Sequence, residues 1–532
     1  MKATSIRPKD FFIITLASIV LARSFATIQS GDQTAGFLGF FVIFFVSFLL
    51  LRLSYEWARG GGTLGVIIAL AFVLRLGVGL GLYMGLPVYG FSDKDDRAGY
   101  VFTDAHNRDN QAWALATSDR PIVDAFSRKY VSDQYGGLLA FNALLYRYLS
   151  PDAQRPLMLI LFSAFFAALG VPFLWRAVTR AFGEKVAWAS TWIFALFPES
   201  ILLGASAMRE PYILTFSAFA LWGFVSSGVY GAAPSDGRLP DSKIGSYTWL
   251  GLGILGMLLV SPAVAIYTLI IFAGWIFFAS EKRQLSWKAI LAIGVILIVG
   301  LFLLSSSLNR SGQFNTTSPL HVVNDWLQSA VKWDAYQLER ESGWVQKLFD
   351  EMPQWMRLPF ISIYGLLQPV LPATFMKPTV PLWKAIGFLR AIGWYAILPL
   401  LILSFAAATN AGSRQKRNLV LWLALITWTW ILLSALRGGG DLWDNPRYRT
   451  LLFVWQSILA GYTWVWWRET RSIWVWVVLV MELVFVLIFT LWYGSRYYHW
   501  PGQLPFAGMV ALILGMWGAI LAVGWWLNKR RA

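Results

Sequence analysis

Long apolar runs and short polar breaks alternate along this chain, and the runs share one size. About fourteen stretches of roughly 17 to 25 residues are predominantly apolar, the length at which one α-helix crosses a bilayer. They lie near residues 10–29, 35–54, 62–84, 156–175, 186–205, 211–230, 246–260, 262–279, 288–307, 387–408, 418–436, 450–467, 472–493 and 506–527. Hydrocarbon offers the backbone no hydrogen-bond partner, so each run is expected to satisfy its own amides as a helix. The pattern predicts an all-α polytopic membrane protein.

The breaks carry the charge, and they do so unevenly. If the N-terminus is cytoplasmic, alternate connections hold Arg52 and Arg59, then Arg176, Arg180 and Lys185, then Lys282, Arg283 and Lys288, then Arg414, Lys416 and Arg417, and last Lys529, Arg530 and Arg531. All fall on one side, as basic loops do on the cytoplasmic face. An even number of spans puts both termini inside, in an inner or cytoplasmic-type membrane. The first run follows a basic stretch without a small-residue cleavage signal, so it is expected to be a retained span.

Composition agrees and removes other classes. The 532 residues are 57% hydrophobic and only 14% charged, a balance that soluble domains do not carry. A net charge of +16 would suggest nucleic acid in a soluble protein. Here Lys and Arg sit beside apolar runs, which reads as topology and contact with anionic lipid, with no nucleic-acid partner. There is no cysteine, which excludes disulfides, thiolate metal sites and thiol nucleophiles. His106, His321 and His499 are too scattered for a histidine-rich metal centre. The 30 Trp and 20 Tyr suit interfacial belts.

The connections on the opposite side differ in kind. One, about 85–155, carries Asp93, Asp95, Asp96, Asp104, Asp109, Asp119, Asp124 and Asp133 among aromatics; another, about 311–385, spaces Trp326, Val331, Trp344, Leu348 and Trp355 as surface helices would. Loops this long are usually functional or disordered, and these hold too many aromatics for disorder. The expected organisation is a pair of N-terminal helices of unassigned role (1–60), a transmembrane core with its first outer loop (61–310), the second outer loop (311–385) and C-terminal helices (386–532). No internal repeat or low-complexity segment is evident.

Three polar groupings invite chemistry. In FTDAHNRDNQAWALA, Phe102 to Ala116, a helix would align Asp104, Arg108 and Ala112 with Asp109 close by, placing two carboxylates and a guanidinium near the membrane surface. A solvated helix with one Asp-to-Arg pair is the plain alternative. Arg209 and Glu210 occupy a very short outer turn, with Glu199 after Pro198. Ionisable groups so near hydrocarbon must be paired or line a wet cavity. In GGGDLWDNPRYRT, Gly438 to Thr450, Arg447 and Arg449 open a helix, and their planar forks suit a lipid phosphate; snorkelling to headgroups is the alternative. Arg23 and Arg75 are read as snorkelling or paired with carboxylates of neighbouring helices.

The order of these features resembles the membrane glycosyltransferases of the GT-C fold, the class of protein mannosyltransferases and aminoarabinose transferases. A span ending in LRLGVGL precedes an outer loop with Asp104, then Ala112 and Leu115; WRAVTRAFGEKVAWASTWIFALFPES and the turn MREP follow; NPRYR precedes a late span. Ala105 and Arg108 stand where that family commonly has a second acidic residue and a tyrosine.

The resemblance implies a GT-C-like bundle of about 14 helices that moves a sugar, hexosyl or pentosyl, from a polyprenyl-phosphate-linked donor to an acceptor glycan, lipid or protein on the outer face, by an inverting route. Asp104 would be the general base, with Asp109 and Glu210 positioning acceptor or sugar. Arg209, Arg447 and Arg449 would bind the donor phosphate, with Tyr448 alongside and Arg108 as a further candidate. No obligatory metal is expected, though Asp104 and Glu210 could share a divalent ion. Two other classes stay open. A lipid-linked glycan polymerase or ligase has similar spans and outer arginines without needing Asp104; a lipid or glycan transporter would concentrate charge in mid-span.

Overall fold

The computed structural model describes residues 7–127, 130, 135–228, 243–279, 353–377, 379–438 and 443–531. Among these the regular structure is helical throughout. Among the described residues ten helices are long and apolar enough to cross a membrane, eleven if one bent pair is counted as a single span. The expected run near 288–307 and the anchors Trp326, Val331, Trp344 and Leu348 lie outside the described residues. Trp355 falls in the helix Gln354–Leu367 and is exposed.

The described chain divides into two compact units, Met1–Ser329 with Thr450–Val454, and Ala330–Arg449 with Trp455–Ala532. In the first, helices α1 (Pro8–Ile28), α2 (Gln33–Ala58) and α3 (Gly61–Tyr89) lead to a loop holding α4 (Lys94–Arg97), α5 (Thr103–Ala116), a 3₁₀ turn (Ile122–Phe126) and α6 (Gly137–Leu149). Then follow α7 (Pro156–Phe182), α8 (Glu184–Leu196), α9 (Pro198–Gly204), α10 (Glu210–Ser226), α11 (Lys243–Val260) and α12 (Pro262–Ala279). The central member is α7, most of which is buried. Without a hydrophobic drive between helices in lipid, close backbone approach takes over. Gly223 and Gly253 supply it between α10 and α11: a β-carbon at Gly223 would sit 2.2 Å from Leu250 N, and one at Gly253 2.5 Å from Ala220 N.

The N-terminal pair is part of this unit and is tied to the end of the loop. Arg155 donates to Asp152 through both terminal nitrogens, to Ser150 Oγ and to the Asp32 carbonyl, while Asp32 N donates to Asp152. The α1–α2 turn thereby buttresses the corner between α6 and α7.

The run near 186–205 is a broken span. Proline at 198 cannot continue α8, and α9 departs at 53°. The break frees the Ala195 carbonyl, and Arg75, fully buried in α3, donates to it at 3.1 Å, to Ala71 O at 3.0 Å and to Ser200 Oγ at 2.9 Å. This corrects the sequence-based expectation for Arg75. Its hydrogen bonds go to backbone carbonyls and a hydroxyl, and it closes a helix break. Arg75→Leu is expected to lower the melting temperature of the purified protein by an amount corresponding to about 1–3 kcal/mol, because two carbonyl-directed bonds vanish inside a buried site. Scanning fluorimetry in detergent checks this; an unchanged or raised melting temperature counts against it.

The second unit holds the helices Pro381–Ile402, Ser404–Thr409, Arg414–Gly438, Asp444–Thr450, Phe453–Thr470, Trp474–Tyr497 and Phe506–Arg531 along with Gln354–Leu367 and Leu371–Met376. The last two long helices are mostly uncovered by protein, which suits lipid-facing spans.

Candidate functional site

The first two groupings come together in the first unit. The expected helix in the first loop is α5, from Thr103 to Ala116. Arg108 on α5 is buried and its Nη2 lies 3.7 Å from Met208 Sδ, in the turn that leads to Arg209 and Glu210. Segments a hundred residues apart thus meet at one end of the spans. The turn itself is bent tightly, with Ala207 in the left-handed region at φ 51°, a conformation that costs a non-glycine residue free energy and is kept where the surroundings enforce it.

Each residue has a distinct setting there. Asp104, in the first turn of α5, is exposed. Glu210 is completely buried, and Arg209 Nε stands 3.8 Å from its carboxylate. The Arg209 guanidinium also lies over the Tyr135 ring, 5.5 Å from its centre. A cation beside Glu210 would face that guanidinium. Among the described residues, no group of three or more His, Asp or Glu side chains is arranged to hold a metal ion.

Asp109 is enclosed, at 1% exposure. Its carboxylate accepts from the hydroxyls of Tyr100 and Tyr146, which join the segment before α5 to α6. Burial pushes this carboxyl up, and the tyrosine hydrogen bonds pull it part of the way back. Both oxygens are therefore occupied by the scaffold. The neighbouring Asp95 behaves oppositely. Burial would raise it, but hydrogen bonds from Thr103 and His106 outweigh that and hold it below the ordinary carboxylate range.

The far end of α5 is held by one side chain. Arg147 on α6 donates to the carbonyls of Leu115, Ala116, Ser118 and Arg120 at 2.7 to 3.1 Å, satisfying helix-end acceptors that have no partner within the helix. Arg147→Ala is expected to loosen the loop by about 1–3 kcal/mol. Faster proteolysis and amide exchange around 115–120 would register it, and exchange equal to wild type would contradict it.

In the second unit the third grouping is split. Arg449 is buried, donates to Leu366 O and Gln368 O, and lies 3.3 Å from the centre of the Trp394 ring. It serves as a cap on the helix Gln354–Leu367, where a cation meets the negative end of the dipole. Arg447 points elsewhere, 3.7 Å from Asp444 and 6.0 Å from the centre of the Tyr448 ring. The same ring receives Arg437, at 4.9 Å, which sequence reasoning did not single out.

Also missed were Asp95, Tyr100, Thr103, His106 and Tyr146. His106 lies in the segment from Phe102 to Ala116, where composition alone marks it only as a possible metal ligand.

The fold and these contacts define a multi-span, all-helical membrane protein with an ordered loop whose polar residues meet the short turn before α10. No protein-family model and no curated protein matches the sequence. Among solved structures the chain is similar to the archaeal oligosaccharyltransferase AglB from Archaeoglobus fulgidus, solved in complex with an inhibitory peptide and a dolichol-phosphate. The identity is 12% and the TM-score 0.39, over 87% of this chain and 55% of that one. The chain spans about half the length of that protein.

Proposed function

We propose that this protein is a membrane glycosyltransferase of the GT-C type, which moves a sugar from a polyprenyl-phosphate-linked donor to an acceptor on the outer face. The observation that carries the reading is the meeting of α5 with the turn 207–210. It brings an exposed carboxylate, a buried carboxylate and two guanidinium groups into one region at the end of the spans. Sugar transfer from a lipid phosphate needs a base for the acceptor hydroxyl and positive charge for the departing phosphate. Asp104, exposed and on the first turn of a helix, is the base. Arg209, the less buried of the two guanidinium groups, is the first unit's phosphate ligand, with Arg108, near Met208, as a further candidate, and Glu210 orients Arg209.

In the second unit, Arg437 and Arg447 on the ring of Tyr448 are a second candidate anion site, while Arg449 is assigned to capping. Asp109 is reassigned from catalysis to support of the loop. The bond between the anomeric carbon and the phosphate oxygen breaks with its electron pair left on the lipid phosphate, and the acceptor oxygen bonds to the anomeric carbon as its proton passes to Asp104. Water is a competing nucleophile, so an acceptor-filled site matters for yield.

The test is transfer of labelled sugar from a polyprenyl-phosphate donor in proteoliposomes containing the full chain. Consumption of the donor with label appearing on an added glycan, lipid or peptide supports the reading. A donor untouched with every acceptor would sink it, and a lipid or glycan moving across the vesicle membrane unchanged would favour transport.

A further inference from the structure

The N-terminus of α5 begins without the usual support. Phe102 holds the N-cap position and contributes no side-chain cap, so the turn draws its support from other residues. Asp104 is in that first turn.

What grips the turn is Asp95, from α4. One of its oxygens accepts from Thr103 Oγ1, and the other lies 2.7 Å from His106 Nδ1. Thr103 and His106 are three residues apart and share a helix face, so the two contacts bracket Asp104 along the chain. The clamp is anchored on both sides. The His106 ring is buried and lies parallel to Tyr100 with centres 4.5 Å apart, and Tyr100 is itself committed to Asp109. On the other side, Asp93 caps α4 by accepting from the amides of Asp95 and Asp96, and Asp96 accepts from Phe91 N. An ionised carboxylate can only accept, so the nitrogen facing it, Nδ1, carries the proton whether the imidazole is neutral or charged.

We infer that Asp95 and His106 are positioning residues for Asp104: the pair fixes the first turn of α5 and so the direction in which the Asp104 carboxylate is presented. The inference deepens the proposed function and rests on Asp104 being the base. A misplacement of about 1 Å at a reacting group can cost around a hundredfold in rate, so a clamp on this turn would act on turnover more than on donor binding. The charged and titratable groups around His106 are Asp95, with Lys94 beside it, Asp109 on the same helix, and Tyr100 against its face.

The experiment compares His106→Ala, His106→Asn and Asp95→Ala with wild type and Asp104→Asn, in the full chain in proteoliposomes. It reads kcat, donor KM, the pH profile, and amide exchange over residues 103–107. Asparagine places an amide nitrogen near the position of Nδ1 and does not titrate. Both alanine variants are expected to lose roughly tenfold to a hundredfold in kcat with donor KM within about threefold, and to exchange faster over 103–107, whereas His106→Asn recovers most of kcat with the wild-type pH profile. His106→Asn as inactive as His106→Ala, with one limb of the profile gone, overturns the inference and makes His106 itself the proton acceptor. Unchanged kcat and exchange in His106→Ala also overturn it. Full activity in Asp104→Asn removes the base assignment by itself, and then faster exchange in His106→Ala still supports the clamp while unaltered exchange rejects it.

Discussion

Asp104→Asn is expected to lower sugar transfer by about 10²–10⁴-fold in kcat, the range that a positioned general base contributes. The carboxamide has the same shape, but it cannot take the proton of the acceptor hydroxyl. Asp104 is exposed, and surface changes of this kind usually stay within about 0.5 kcal/mol. Losing a negative charge in the first turn of α5 adds a few tenths of a kcal/mol through the helix dipole. Folding should therefore survive while turnover does not. Donor KM should move little, since no phosphate contact is assigned to Asp104. The measurement is single-turnover transfer of label from the lipid-linked donor, with size-exclusion and melting profiles matched to wild type. Wild-type turnover in the variant would remove the base mechanism and bring the polymerase or ligase reading forward.

How far this site was legible in the sequence depends on whether spacing or distant packing decides each residue. The helices were readable because an apolar run in a chain of this composition has no other stable state in lipid. The α5 segment was readable too, from its polar residues at helical spacing. The sequence pairs Arg447 and Arg449 as phosphate ligands, yet residues two apart on a helix do not face one another. The structure separates them accordingly, one toward Tyr448 and the other to the carbonyls of Leu366 and Gln368.

Other roles were beyond spacing. Nothing local says that Arg75 meets a carbonyl 120 residues away, because that carbonyl is exposed only by the break at Pro198. The helical wheel sets Asp104 about 140° from Asp109, which shares a face with Ala105, Ala112 and Ala116, but it does not say what covers that face. Their difference is made by Tyr100 and Tyr146, which cover one and leave the other open. The pair of N-terminal helices had no readable role for the same reason, since Arg155 and Asp152 bind their turn from the far end of the loop.

The enclosure of Asp109 leads to the largest expected effect on stability. Asp109→Leu leaves two buried tyrosine hydroxyls without their acceptor and should cost about 2–5 kcal/mol, because each buried donor left unsatisfied costs about 1–3 kcal/mol. Asp109→Asn should be mild, because the amide oxygen accepts from one hydroxyl and the amide nitrogen donates to the other. The dependence on pH separates these changes further. Burial raises the Asp109 carboxyl above its unfolded value of 3.8, so its contribution to stability is fully present below that value and is lost as pH rises through the higher folded one. Wild type should accordingly lose local stability across that window, and Asp109→Asn, which has no proton to lose, should lose less. Amide exchange over α5 and α6 between pH 4 and pH 8, corrected for intrinsic rates, reads the difference. A parallel dependence in wild type and Asp109→Asn would mean that the carboxyl is not buried as described, and a Leu variant as protected as wild type would mean that the tyrosines do not depend on it.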